Sequence, residues 1–133
     1  MKHDNPYEEA MRYVENAREI LKSAGKDDKF YIDEKYVKIA CGTAYSGILV
    51  ALDCLFDIKK IPKRRGRKSI DYYQNNLAQI DKKLLKELNS AYRLLHLEGY
   101  CEGETNSKTI DVGFDSAISV IDALKPYSNN GEE

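Results

Sequence analysis

The sequence predicts an all-α fold, an antiparallel bundle of four main helices plus a short one. Apolar residues recur three and four apart along most of the chain, capping residues and glycine or proline stops punctuate those runs, and no segment shows strand alternation. Asn5, Pro6 and Glu8 make an N-cap, a first-turn proline and an Asn-x-x-Glu box. A first helix therefore runs over residues 6–24, with Tyr7, Met11, Val14, Ala17 and Leu21 on its stripe and Gly25 as its stop. The polar connection "GKDDKFYID" follows, and Asp33 caps a second helix over residues 34–57.

This second helix is the most apolar part of the chain. Between Lys38 and Asp53 lie 14 residues without a charge, "IACGTAYSGILVAL". At roughly 100° per residue their large apolar side chains cover about half the circumference. Gly42, Thr43, Ser46 and Gly47, all small, fill much of the rest. Such a helix packs on more than one side, at the centre of the bundle or also against a second subunit. Each mid-helix glycine loses ~1 kcal/mol of helix propensity, so a close backbone approach is expected there.

Pro62 and Gly66 interrupt the chain next. Ser69 caps a short third helix carrying Ile70, Tyr73, Leu77 and Ile80. Asp81 caps a fourth over residues 82–98, ended by Gly99 and Gly103. A last helix over residues 107–125 carries Ile110, Phe114, Ala117, Ile118, Ile121 and Leu124 and stops at Pro126. All 133 residues form one domain, with 1–5 and 126–133 as frayed tails.

Composition narrows the function classes. Charged residues are 32% and hydrophobic residues 42%, at a formal net charge of −1, as in a soluble globular protein. No charge-free run reaches the ~18 residues of a membrane span, so no membrane contact is expected. The N-terminus "MKHDNPYEEA" lacks an apolar signal core. Cys41, Cys54 and Cys101 show no Cys-x-x-Cys spacing, and the first two lie about 20 Å apart along one helix at ~1.5 Å per residue. Reduced, buried cysteines in a cytoplasmic protein follow. There is no glycine-rich phosphate loop, no His-Glu-x-x-His and no Gly-x-Ser-x-Gly, so no cofactor or metal is expected.

Two stretches carry candidate chemistry. From Lys59 to Lys68 there are seven cations and no acid, which leaves 14 basic against 22 acidic residues elsewhere. Arg64, Arg65 and Arg67 are the candidate binding residues of this loop. Contact with nucleic-acid phosphates is less favoured than a solvated loop resting on the protein's own acidic surface, because no aromatic lies within the run to stack a base.

The second stretch is "LNSAYRLLHLEGYCEG". With Leu88 at the centre of the fourth helix's apolar face and ~100° per residue, His96 lands about 80° away, at the stripe's edge. Asn89 and Tyr100 fall beside it, and Arg93 lies further toward solvent. His96, Arg93 and Asn89 are the catalytic candidates, and Tyr100 a binding candidate. The bland alternative is a stripe boundary, with His96 hydrogen-bonded to Asn89, Tyr100 or a backbone carbonyl. Leu94 and Leu97 lie well away from the Leu88 face and ask for another apolar partner.

"KYVKIACGTAYSGILVALDCLF" and "SIDYYQNNLAQIDKKLLKELNSAYRLLHLEGYCEG" resemble a small bacterial family of uncharacterised proteins, most distinctively in "CGTAYSGILVALD" and "HLEGY". That family resembles the HEPN (higher eukaryotes and prokaryotes nucleotide-binding) all-α superfamily in helix order. The resemblance implies a homodimer, in which helix two or the back of helix four would form the interface. Many HEPN proteins cleave RNA with an Arg-x(4–6)-His motif shared across that interface. Here the corresponding positions are Asn89, Ser90 and Ala91, and Glu98 stands where a related toxin group has tyrosine. The expectation is therefore a non-enzymatic HEPN-like module that binds a partner protein or small ligand. The alternative is a divergent metal-independent ribonuclease using His96 with Arg93 or Asn89.

Overall fold

A computed structural model describes residues 5–66 and 68–127. Helix α1 is Pro6–Lys22, α2 Glu34–Ile58, α3 Ile70–Ile80, α4 Lys82–Ala91 and α5 Ser107–Ile121. α4 continues without a break into a π-helical segment, Tyr92–Cys101, and α5 tightens into a 3₁₀ turn, Asp122–Tyr127. The all-α architecture stands. Asn5 accepts from the Glu8 N–H, Asp33 from Lys35 and Asp81 from Leu84, so the caps read from sequence are made. Ser69 precedes α3 without a side-chain cap bond.

α2 is the central helix, packed by α1, the π segment and α5. Val37, Ala40, Cys41, Ala44, Ile48, Ala51 and Leu52 on it are almost wholly shielded from solvent. Its mean hydropathy reaches 1.7 over an 18-residue window. By length and composition it could therefore cross a membrane, contrary to the expectation drawn from its charge-free run alone. Burial of 56% of that window inside the bundle explains the composition without a bilayer. Its glycines are contact points. A Cβ at Gly47 would stand 2.6 Å from the Tyr13 Cβ of α1, and one at Gly42 would meet the Tyr100 ring at 2.9 Å.

Several expectations need correction. The connection after α1 is a two-stranded antiparallel hairpin, β1 (Lys26–Asp27) with β2 (Phe30–Tyr31). Asp28 turns it at φ 57°, a left-handed conformation that Asp tolerates. Two-residue strands are too short for alternation to show. The fourth helix does not end at Gly99; the chain stays helical to Cys101, and Gly103 at φ 71° follows. Leu94 needs no second subunit, because it packs against Gly113 of α5 and is 5% exposed. Asn5, Pro126 and Tyr127, expected in frayed tails, belong to defined elements. Residues 1–4 and 128–133, the rest of those tails, lie outside the described residues. The cysteines are unpaired, but only Cys41 is buried; Cys54 is half-buried and Cys101 exposed.

Candidate functional site

The π segment organises the stretch around His96. Its i→i+5 hydrogen bonding widens the turn, so the 100° wheel fails beyond Ala91. Tyr92, His96 and Tyr100, four residues apart, form a ladder of rings. His96 stacks on Tyr92 at 5.2 Å and 18°, and on Tyr100 at 5.9 Å and 21°. Tyr45 of α2 closes the ladder from behind, 5.1 Å from His96. Burial, and then the neighbouring Tyr92 hydroxyl, push the Tyr45 phenol up, so it stays neutral. Tyr100 lies over Gly42, one turn from Ile39 on α2, and Leu97 stands three residues before it. Tyr100 is 50% exposed, and Ile39 of α2 and Leu97 of the π segment are 46% and 40% exposed.

The structure does not bring the catalytic candidates together. The Arg93 guanidinium donates to Glu98 Oε2 at 3.1 Å. That pair is five residues apart, a separation that faces one way on a π-helix and not on an α-helix. Asn89 Oδ1 accepts from Gln74 Nε2 of α3 at 2.8 Å. His96 is held by rings, and the hydrogen bond expected to Asn89, Tyr100 or a backbone carbonyl is not made among the described residues. A stacked imidazole that pairs with no carboxylate among the described residues lacks the orienting partner that general acid–base chemistry uses. The sequence reading missed Tyr45 and Tyr92 as members of this site. The 92/96/100 aromatic spacing was the available signal, but it only becomes a ladder with Tyr45 from another helix.

The basic loop is tied at both ends. Lys68 Nζ and the Tyr73 hydroxyl both donate to Asp53 Oδ1 at 3.0 Å. Burial, followed by Asp53, pushes the Tyr73 phenol up, so it remains a donor. Lys59 Nζ sits 5.8 Å from the Tyr127 ring centre. The loop thus rests on α2's own acid, while Lys63, Arg64 and Arg65 stay exposed; Arg67 lies outside the described residues. Neutralising Arg64 and Arg65 to Gln is expected to change unfolding free energy by less than ~0.5 kcal/mol, because exposed charges contribute little. Lys68→Met is expected to lose about 1 kcal/mol, since it removes a half-shielded charged hydrogen bond. Thermal denaturation of the two variants measures the contrast.

The fold and this site define a small helical bundle with a ladder of aromatic rings between two of its helices. A family model described as "Domain of unknown function (DUF5618)" matches residues 5–125, and the chain belongs to that family. No curated protein matches it. A solved structure of a protein of unknown function from Dyadobacter fermentans is 44% identical and superposes with a TM-score of 0.84. That match covers 92% of this chain and 95% of the other.

Proposed function

We propose that this chain is a non-enzymatic, HEPN-like binding module that pairs with a second copy of itself through the face of α2 and the π segment. The observation that carries the reading is the ladder of Tyr45, Tyr92, His96 and Tyr100, with large apolar side chains, Ile39, Leu97 and Tyr100, left exposed on the two helices that build it. Exposed aromatic and aliphatic side chains suit an interface core, where desolvation stabilises and few charges must be stripped of water. The Arg93–Glu98 pair supports a binding reading over a ribonuclease, because it withholds the cation a cleavage site would direct at phosphate. A cytoplasmic location belongs to the same reading: three unpaired thiols, one exposed at Cys101, suit a reducing compartment.

Light scattering at high micromolar concentration is expected to give a dimer. Leu97→Glu with Tyr100→Glu is expected to give a folded monomer. A wild-type monomer would overturn the proposal. The enzymatic alternative meets a separate test. Wild type and His96→Gln should both leave labelled RNA intact, and wild-type cleavage lost in His96→Gln would establish the ribonuclease. His96→Gln should also lower stability by about 1–2 kcal/mol, because stacked ring pairs contribute ~0.5–1.5 kcal/mol each.

A further inference from the structure

A second concavity, lined by residues of α1, the hairpin and α5, plays no part in the reading above. It holds about 380 Å³, within the usual range for small-molecule pockets, and is open to solvent, with Arg18, Lys22, Lys26 and Asp111 exposed along it. Leu21, Gly25 and Tyr31 line it together with Arg18, Lys22, Lys26 and Asp111. Three of these side chains are cationic and one is a carboxylate.

The walls are prepared in advance of any ligand. The Tyr31 N–H donates to the Thr105 carbonyl at 2.8 Å, Ser107 N–H to Lys29 at 2.8 Å, and Ile32 N–H to Gly25 at 3.0 Å. These bonds fasten the hairpin between the end of α1 and the start of α5. Arg18 lies over the Phe114 ring at 5.4 Å, held by an aromatic face and not by a carboxylate. Lys26 Nζ lies 5.7 Å from the Tyr31 ring centre. Neither cation forms an ion pair among the described residues, and the Tyr31 hydroxyl makes no hydrogen bond among them. Burial, then Asp111 and Cys41, push that phenol up against the opposing pull of Arg18, so it is a neutral donor.

We propose that this concavity binds a small organic anion, an apolar or flat body bearing one carboxylate or phosphate. Arg18 and Lys26 bind the charged group, the Tyr31 hydroxyl donates to it, and Leu21 packs the body. Cations beside apolar wall focus field into a cleft and act more strongly than in open water. Asp111 limits how much negative charge the site accepts and favours a ligand that carries a donor.

The full chain is titrated by calorimetry with phenyl phosphate, phenylacetate and benzyl alcohol at constant ionic strength. At least one anion is expected to bind saturably and the alcohol not to bind; the tighter anion identifies phosphate or carboxylate as the preferred group. Arg18→Gln with Lys26→Gln is expected to weaken that anion at least ~10-fold, and Tyr31→Phe about 3- to 10-fold, as loss of charged and neutral hydrogen bonds dictates. Asp111→Asn should tighten it. Arg64→Gln with Arg65→Gln should leave it unchanged. Should Arg18→Gln fail to fold, Lys26→Gln with Tyr31→Phe carries the same test. No saturable anion binding, equal binding by the folded pocket variants, or a loss in the loop variant instead would each overturn the proposal. None of these outcomes depends on the α2 and π-segment face.

Discussion

Raising the pH from about 8 to about 11 is expected to weaken the fold by at least 2 to 3 kcal/mol, with buried Cys41 as the largest resolved cause. Burial pushes its thiol up from 9.0 to about 12. Its side chain is fully shielded from solvent, so water does not screen that shift. Between those values the unfolded chain releases the proton and the folded chain keeps it. The folded state then binds more protons, and stability falls as pH rises. The contribution is fully present below about pH 9 and is lost as the pH climbs toward 12, at ~1.4 kcal/mol per unit. Tyr45 and Tyr73, both raised by burial, act in the same direction at somewhat higher pH. Chemical denaturation across this range, on wild type and Cys41→Ala, measures the effect. Cys41→Ala should start somewhat less stable, having lost a buried sulfur, but its decline just above pH 9 should be shallower. Identical slopes would remove Cys41 from the account.

The course of the chain was legible where a local rule sufficed. Asn5, Asp33 and Asp81 each cap a helix from within three residues, and such signals survive any tertiary context. The centrality of α2 was legible too, since a helix apolar over so wide an arc has to be covered on several sides. What escaped depended on a second element or on a turn geometry no residue preference encodes. The π segment has the composition of an α-helix. Its consequence, Arg93 facing Glu98 instead of projecting alone, could not be read from a 100° wheel. Leu94 looked stranded because its partner, the bare backbone of Gly113, lies on α5. In the same way the tilted ring that backs His96, Tyr45, comes from α2. The anion pocket was invisible, because Arg18, Tyr31 and Asp111 are brought together only by the folding of the hairpin between α1 and α5.

Gly99→Ala is expected to destabilise the protein by about 1–3 kcal/mol, against the usual direction for a glycine inside a helix. In an exposed α-helix that change would gain ~1 kcal/mol of propensity. Here the new Cβ would stand 2.5 Å from Cys41 Sγ, 2.8 Å from Cys41 Cβ and 3.1 Å from the Leu94 carbonyl oxygen. The sulfur can swing aside on χ1. The Cys41 Cβ cannot, because it is fixed to the α2 backbone. The π segment must therefore move away from α2, disturbing the contacts that hold Tyr45 against His96. Overpacking of this kind typically costs 1–3 kcal/mol, enough to outweigh the propensity gain. A double-mutant cycle isolates the cause. Cys41→Gly alone should be destabilising, through a lost buried side chain and a further helix glycine. In the double variant it should relieve much of the Gly99→Ala clash, giving a favourable coupling of about 1 kcal/mol or more, the scale found for residues in direct contact. Urea denaturation of the four proteins reads it. Additive losses, or a Gly99→Ala protein as stable as wild type, would show that α2 and the π segment are not in the tight backbone contact described above.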